Sequence, residues 1–227
     1  MSYLLRLVVP DKPGILGAVA TALGAAGVDI VSLDVLERGS GVAVDDIVVD
    51  LPAGRLPDSL ITAAHTVAGV SVESLRPFAG PLDTHRELEL LDSLARAAED
   101  TSAKLLAAEL PRVFHSGWAV VLSAVDTLAA GAARWEVTAA SEAAPAFEGL
   151  TLPWMPLTGP RLLPSEEDWL PERWRDMAIE MMAAPYGGPG CAVVLGRSGG
   201  PAFRRSELLR LAHLTGIATT VASLPPV

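Results

Sequence analysis

Leu7-Val8-Val9-Pro10-Asp11-Lys12-Pro13-Gly14-Ile15-Leu16 decides how the first third of this chain is read. The apolar run from Tyr3 to Val9 is strand-like, and Pro10 closes it. Asp11-Lys12-Pro13-Gly14 is turn chemistry. Beyond the turn, Ile15, Leu16, Val19, Ala22, Leu23 and Ala26 recur at helical spacing until Gly27 stops them. The stretch therefore joins a strand to an amphipathic helix.

Working outward, Val28 to Glu37 alternates as a strand, with Val31, Leu33 and Val35 on one face and Ser32 and Asp34 on the other. Gly39-Ser40-Gly41 is a hairpin turn, and Val42 to Leu51 is the returning strand. Pro57-Asp58 opens a second helix carrying Leu60, Ile61, Ala64 and Val67; Gly69 ends it, and Val70 to Arg76 is a fourth strand. The order β-α-β-β-α-β is the ferredoxin-like arrangement. Two helices cover one face of such a sheet. Strand parity puts Leu4 and Val8, Ile30 and Leu36, and Val42, Val44 and Val48 on the other face, which is too apolar to stay bare.

The Asp11-x-Pro13-Gly14-x-Leu16 signature, followed by Gly27-Val28-Asp29-Ile30, resembles an ACT domain over residues 3–77. The resemblance implies a regulatory module that binds an amino acid between two copies, with Asp11, Pro13, Gly14, Ile15, Leu16, Asp29 and Ile30 as the ligand-binding set. In chemical terms, Pro13 pre-sets the first helical turn, and Gly14 lets a ligand approach the backbone. The N–H groups from Gly14 to Leu16 suit a carboxylate, and Asp11 suits an ammonium group. Asp29 stands where many members carry Asn, and an ionised Asp cannot donate to a carboxylate. Read without the resemblance, the same residues make a tight turn with a capping aspartate.

Pro77 to Asp83, with two prolines and a glycine, divides the chain into 1–78, a linker at 79–83 and a second domain at 84–227. The second domain opens with one long helical pattern over 83–110, in which Leu90, Leu94, Thr101, Leu105 and Ala108 share a face; Pro111 starts a new turn. Trp118 to Val125 and Ala133 to Ala140 are strands expected to pair through Ala129-Ala130-Gly131. The proline-rich segment 141–172, with Trp154 and Trp169, is a long ordered loop of the kind that covers something. Trp174 to Pro185 is a short helix leading into a strand, and Gly190 to Gly196 is another strand. Ser206 is expected to cap a closing helix with Leu208, Leu211, Ala212, Thr215, Ala218 and Ala222 as its stripe. This layout, with Val193-Val194-Leu195-Gly196-Arg197 and then Phe203-x-x-x-Glu207-Leu208, resembles a GAF domain over 84–223. That resemblance implies an α/β sandwich: terminal helices on one face of an antiparallel sheet and a ligand pocket on the other. The Asn-Lys-Phe-Asp-Glu signature of the cyclic-nucleotide branch is absent, which disfavours that ligand. The fold class expected for the whole chain is α+β.

Composition sets the outer limits. Of 227 residues, 50% are hydrophobic, enough for packed cores. Seventeen Lys and Arg against 27 Asp and Glu give a formal charge of -10, the wrong sign for nucleic acid or anionic membrane. The single cysteine, Cys191, excludes an internal disulfide and a cysteine-rich metal site. No apolar run reaches the ~20 residues of a membrane span, so a cytoplasmic location is expected.

Candidate chemistry is sparse. Gly196-Arg197-Ser198-Gly199-Gly200 fits Gly-x-Ser-x-Gly, and His213 lies downstream, but no acid-bearing strand separates them, so the stretch reads as a turn. His65, His85, His115 and His213 lack metal-ligand spacing. Arg197, Arg204, Arg205 and Arg210 form one basic cluster, for which Glu207 or the acids at 166–168 are local partners. With no catalytic, metal or cofactor site, the expectation is a non-enzymatic regulatory protein. It would be a homodimer or larger even-numbered oligomer that responds to an amino-acid effector, with a protein partner as a further possibility. A ligand-free oligomerisation scaffold, or an enzyme under the 141–172 segment, are the competing readings.

Overall fold

The computed structural model describes residues 1–78, 86–97, 99–127, 133–147, 149–188 and 190–222. They belong to two compact units, Met1–Leu82 and Asp83–Val227. The expected linker at 79–83, His85 and the Ala129-Ala130-Gly131 turn lie outside the described residues.

The first unit runs β1 (Ser2–Pro10), α1 (Ile15–Ala25), β2 (Asp29–Gly39), β3 (Val42–Asp50), α2 (Asp58–His65) and β4 (Ser71–Pro77). The strand order is β2-β3-β1-β4 and every pairing is antiparallel, as the β-α-β-β-α-β reading requires. Apolar spacing puts Ile15, Val19 and Leu23 of α1, and Leu60, Ala63 and Ala64 of α2, on one side of their helices. They pack on Leu5, Leu7 and Val9 of β1 and Ala43, Ile47 and Val49 of β3. A fully buried Leu or Ile contributes about 1.5–3 kcal/mol, so these residues carry most of the unit's stability.

Strand β2 departs from the expected parity. Ile30 pairs with Val49 and packs into the helix-side core, so it does not belong to the open face. The next paired residue is Ser32, opposite Val48, so Val31 is an extra residue in the strand. Such a bulge exchanges the faces of everything after it. Leu33 and Val35 are thereby turned to the helix side, where they remain 38% and 48% exposed. Leu36 sits at a second slip between Val35 and Glu37 and is likewise no regular open-face position. Leu4 opposite Val48, and Val8 opposite Val44, keep the open-face parity expected of them.

The second unit contains α3 (Arg86–Arg96), α4 (Glu99–Val113), β5 (Trp118–Thr127), β6 (Ala133–Ala140), β7 (Arg161–Leu163), α5 (Glu172–Asp176), β8 (Ile179–Pro185), β9 (Cys191–Ser198) and α6 (Arg205–Ala222). Its five strands are antiparallel in the order β6-β5-β9-β8-β7. The single long helix expected over 83–110 is two helices. The Ala97 N–H turns back to Leu94, ending α3, and the helical phase restarts in α4. Leu106 and Leu110 therefore point deep into the core, Leu105 packs at its margin, and Ala108, expected on the same stripe, is exposed. Pro111 lies inside α4 and does not open a new turn.

Both faces of this sheet are packed. One carries α3, α4 and α6 through Leu94, Leu106, Leu110, Leu211 and Leu214. The other is closed by the segment between β6 and β8, which contributes Phe147, Leu152, Trp154, Leu157 and Trp174. The proline-rich stretch thus covers the sheet, as its length suggested. Gly196 of β9 stands opposite Trp118 of β5, and a Cβ there would fall 2.0–2.6 Å from the indole ring. Only glycine lets this indole lie against its neighbouring strand.

Candidate functional site

Chain direction reverses between β1 and α1 through four exposed residues, Asp11 to Gly14. The Asp11 N–H donates to Gly41 O at 2.9 Å, tying the turn to the β2–β3 hairpin. Gly14 precedes the helix at φ 87°, a left-handed conformation that disfavours any side chain. No side chain caps α1, so Asp11 is not the capping aspartate of the residue-only reading. Among the described residues, the N–H groups of Gly14, Leu16 and Gly17 have no hydrogen-bond partner. They are the orphan donors of a helix start.

Asp11 has another partner. Its Oδ1 accepts from Arg38 Nε at 3.2 Å and from Arg38 Nη2 at 2.5 Å. Arg38 stands near the end of β2, opposite Ala43, and is 66% exposed. Beneath this pair, Asp45 of β3 lies between Leu7 of β1 and Val35 of β2 in the register of the sheet. It is 1% exposed, and neither carboxylate oxygen has a hydrogen-bond partner. Burial pushes its carboxyl above the ordinary value; Arg38 opposes this, while Asp46 and Asp11 add to it.

Within one chain, the residues expected to bind ligand do not all meet. Asp11, Pro13, Gly14, Ile15 and Leu16 share the turn, but the Ile15 side chain is core and offers only its backbone. Asp29 pairs with Asp50, at the end of β3 away from Val42 and the turn. Eight residue steps of strand separate the two ends, roughly 26 Å. Asp29 and Ile30 thus lie apart from the turn of their own chain. Arg38 and Asp45 were missed. Asp45-Asp46 inside Val42-Ala-Val-Asp-Asp-Ile-Val-Val was the available signal, because adjacent acids in a strand must face opposite sides.

The element order and strand order of the first unit are ferredoxin-like. Residues 3–69 match the family model of the ACT domain. That ACT domain implies a regulatory, small-ligand-binding role. No curated protein matches the chain. Among solved structures, an ACT domain protein from Streptococcus pneumoniae is similar at 16% identity and TM-score 0.28, over 34% of this chain and 88% of that one. The regulatory subunit of aspartate kinase from Thermus thermophilus, in a ligand-free form, is similar at 20% identity and TM-score 0.31, over 41% and 68%. An unknown protein from Galdieria sulphuraria is similar at 10% identity and TM-score 0.31, over 97% and 90%.

In the second unit the basic cluster resolves into a structural clamp. Arg197 Nη2 donates to Glu207 Oε1 at 2.5 Å and to Phe114 O at 2.8 Å, and its guanidinium lies 4.0 Å from the Phe203 ring centroid. Glu207 Oε2 also accepts the Arg204 N–H at 2.8 Å, so Glu207 caps α6 from within. Ser206, expected as the cap, is instead a residue of the helix. Ser198 ends β9, whose two neighbours β5 and β8 are both antiparallel. That is not the strand-to-helix elbow of a serine hydrolase. Among the described residues no group of three His, Cys, Asp or Glu is placed to hold a metal ion, and no helix is long and apolar enough to cross a membrane.

Proposed function

We propose that this chain is a non-enzymatic regulatory protein of the cytoplasm, and that its ACT domain binds a free amino acid at the β1–α1 turn. The observation that carries the reading is the turn itself: an uncapped helix start with unpartnered N–H groups at Gly14, Leu16 and Gly17, beside the exposed Asp11–Arg38 pair. An α-carboxylate suits the helix start and Arg38, and an ammonium suits the carboxylates. Binding is coupled to association with a second copy. β2 is an edge strand whose Val31, Leu33 and Val35 are exposed, a surface that pairing with another chain removes from water. Asp29 and Ile30 then belong to the interface between copies. Residues 84–227 act as a GAF-like module, a reading supported by helices on one face of an antiparallel sheet and by Glu207-Leu208 opening the last helix.

A thermal-shift screen of the full chain against the twenty amino acids, with light scattering on the same samples, tests this. The expected result is a shift by one or a few amino acids and a dimer or larger even-numbered mass. A monomer that no amino acid stabilises would end the proposal. One observation favours a second reading for the 84–227 module alone. Phe147, Trp154, Leu157 and Trp174 fill the face where a pocket belongs, as in a ligand-free scaffold.

A further inference from the structure

Among the described residues, Asp45 is the one carboxylate with both oxygens buried and no hydrogen-bond donor. Its flanking positions on the same face, Ala43 and Ile47 along β3 and Leu7 and Val35 across it, are all apolar. Leaving a carboxylate unpaired in such a place is costly, and a fold that keeps one has a use for it. The charges that reach it can be enumerated. The turn supplies Asp11, β2 supplies Arg38, and its own strand supplies Asp46 on the opposite face. Leu7 of β1 is neutral, and α1 carries no charged residue. Asp46 is already matched by Arg6, at 2.7 and 2.8 Å. Arg38 is engaged by Asp11. Asp11, Arg38 and Asp45 together thus leave one negative charge over when Asp45 is ionised.

We propose that Asp45 is the counter-charge for the effector's ammonium group, and that the Asp11–Arg38 pair opens to admit it. This rests on the reading of the turn as an effector site and names what that site selects. Arg38 is exposed and free to swing, whereas Asp45 is fixed in the sheet. In the open arrangement Arg38 and the N–H groups of Gly14, Leu16 and Gly17 take the α-carboxylate, while Asp45 and Asp11 take the ammonium. The free ion pair is then a stand-in for the zwitterion that replaces it. A protonated Asp45 must ionise to pair with the ammonium, so binding releases that proton to solvent.

The test uses the full chain and the amino acid giving the largest thermal shift among the twenty, together with the same molecule lacking its amino group. Calorimetry on the wild type is expected to favour the amino acid at least about tenfold over its des-amino acid. Asp45→Asn is expected to lose about tenfold in affinity for the amino acid and most of that preference, while melting no lower than wild type. Wild-type affinity should fall as the pH is lowered through the raised titration of Asp45, with proton release seen as a buffer-dependent heat; the variant should show neither. An Asp45→Asn protein with unchanged affinity, preference and pH profile would overturn this inference and leave the effector reading standing. A wild type that binds no amino acid would overturn both.

Discussion

Arg6 and Asp46 face each other across β1 and β3 in a two-pronged ion pair, Nε to Oδ1 at 2.7 Å and Nη2 to Oδ2 at 2.8 Å, with both side chains buried. Removing one partner of such a pair strands the other, at about 3–5 kcal/mol, whereas replacing both with apolar residues costs far less. Arg6→Met alone should therefore destabilise strongly in urea titration, and Arg6→Met with Asp46→Leu should recover most of the loss. Equal losses in the single and double variants would mean that the pair is not a unit.

Asp45, one residue along, predicts an opposite sign. Its carboxyl is raised from the ordinary 3.8, so the folded state holds a proton that the unfolded state has released. Stability then falls as pH rises from the ordinary value through the raised one, and the penalty is complete above it. Asp45→Asn should melt higher than wild type at neutral pH, by about 1 kcal/mol or roughly 4–8 °C for a unit this small. The gain should fade toward pH ~4. Calorimetric melts of both proteins across that range check it.

Glu207 serves two masters in the second unit, the Arg197 guanidinium and the Arg204 N–H. Glu207→Ala should cost about 3–5 kcal/mol, since it leaves Arg197 charged and buried. Glu207→Gln, which keeps an acceptor, should cost less. Because the pair is 1% and 5% exposed, added salt should alter the wild-type stability little through this contact.

Gly196→Ala should overpack the space beneath the Trp118 ring, at a cost of about 1–3 kcal/mol or more. Trp118→Leu removes the clash, so the two substitutions together should cost less than their sum. A double-mutant cycle in urea gives the coupling directly.

The Asp11–Arg38 pair is solvent-exposed and screened, so Arg38→Gln should lower the melting temperature only slightly, through the support Arg38 gives to ionised Asp45. Its expected effect is on effector affinity, which calorimetry separates from stability. A large fall in melting temperature with unchanged affinity would assign Arg38 a purely structural task.

What the sequence made legible was local. Asp11-Lys12-Pro13-Gly14, Gly27 and Gly39-Ser40-Gly41 each punctuate an element with chemistry that needs no partner, and the β-α-β-β-α-β order follows from them. Errors arose where phase had to be carried across an irregularity. One extra residue at Val31 put Ile30 on the helix side while Ser32 to Val35 kept their expected faces, and the restart of the helix at Glu99 placed Leu106 and Leu110 of α4 deep in the core, with Leu105 at its margin. The turn was found as a candidate site, but its charge partner was not, because Arg38 meets Asp11 only when the hairpin folds back across 27 positions. Asp45 announces nothing until the pairing register decides which face it takes. Glu207 was in view as a partner for the arginines, yet its bond to Arg197 depends on β9 delivering that guanidinium to the start of α6.

The aromatic layer of the second unit has an optical consequence. All five tryptophans of the chain, Trp118, Trp135, Trp154, Trp169 and Trp174, belong to residues 84–227, and the ACT domain has none. Tryptophan emission, excited apart from Tyr3 of the first unit, therefore originates in the second unit alone. An amino acid seated on Gly14 to Gly17 has no indole beside it within its own unit. Any change in emission on titration then measures how much of the binding event reaches the other unit. In an unlabelled cuvette experiment, a silent titration with measurable heat points to two independent modules, and a responsive one shows that the second unit senses the binding event.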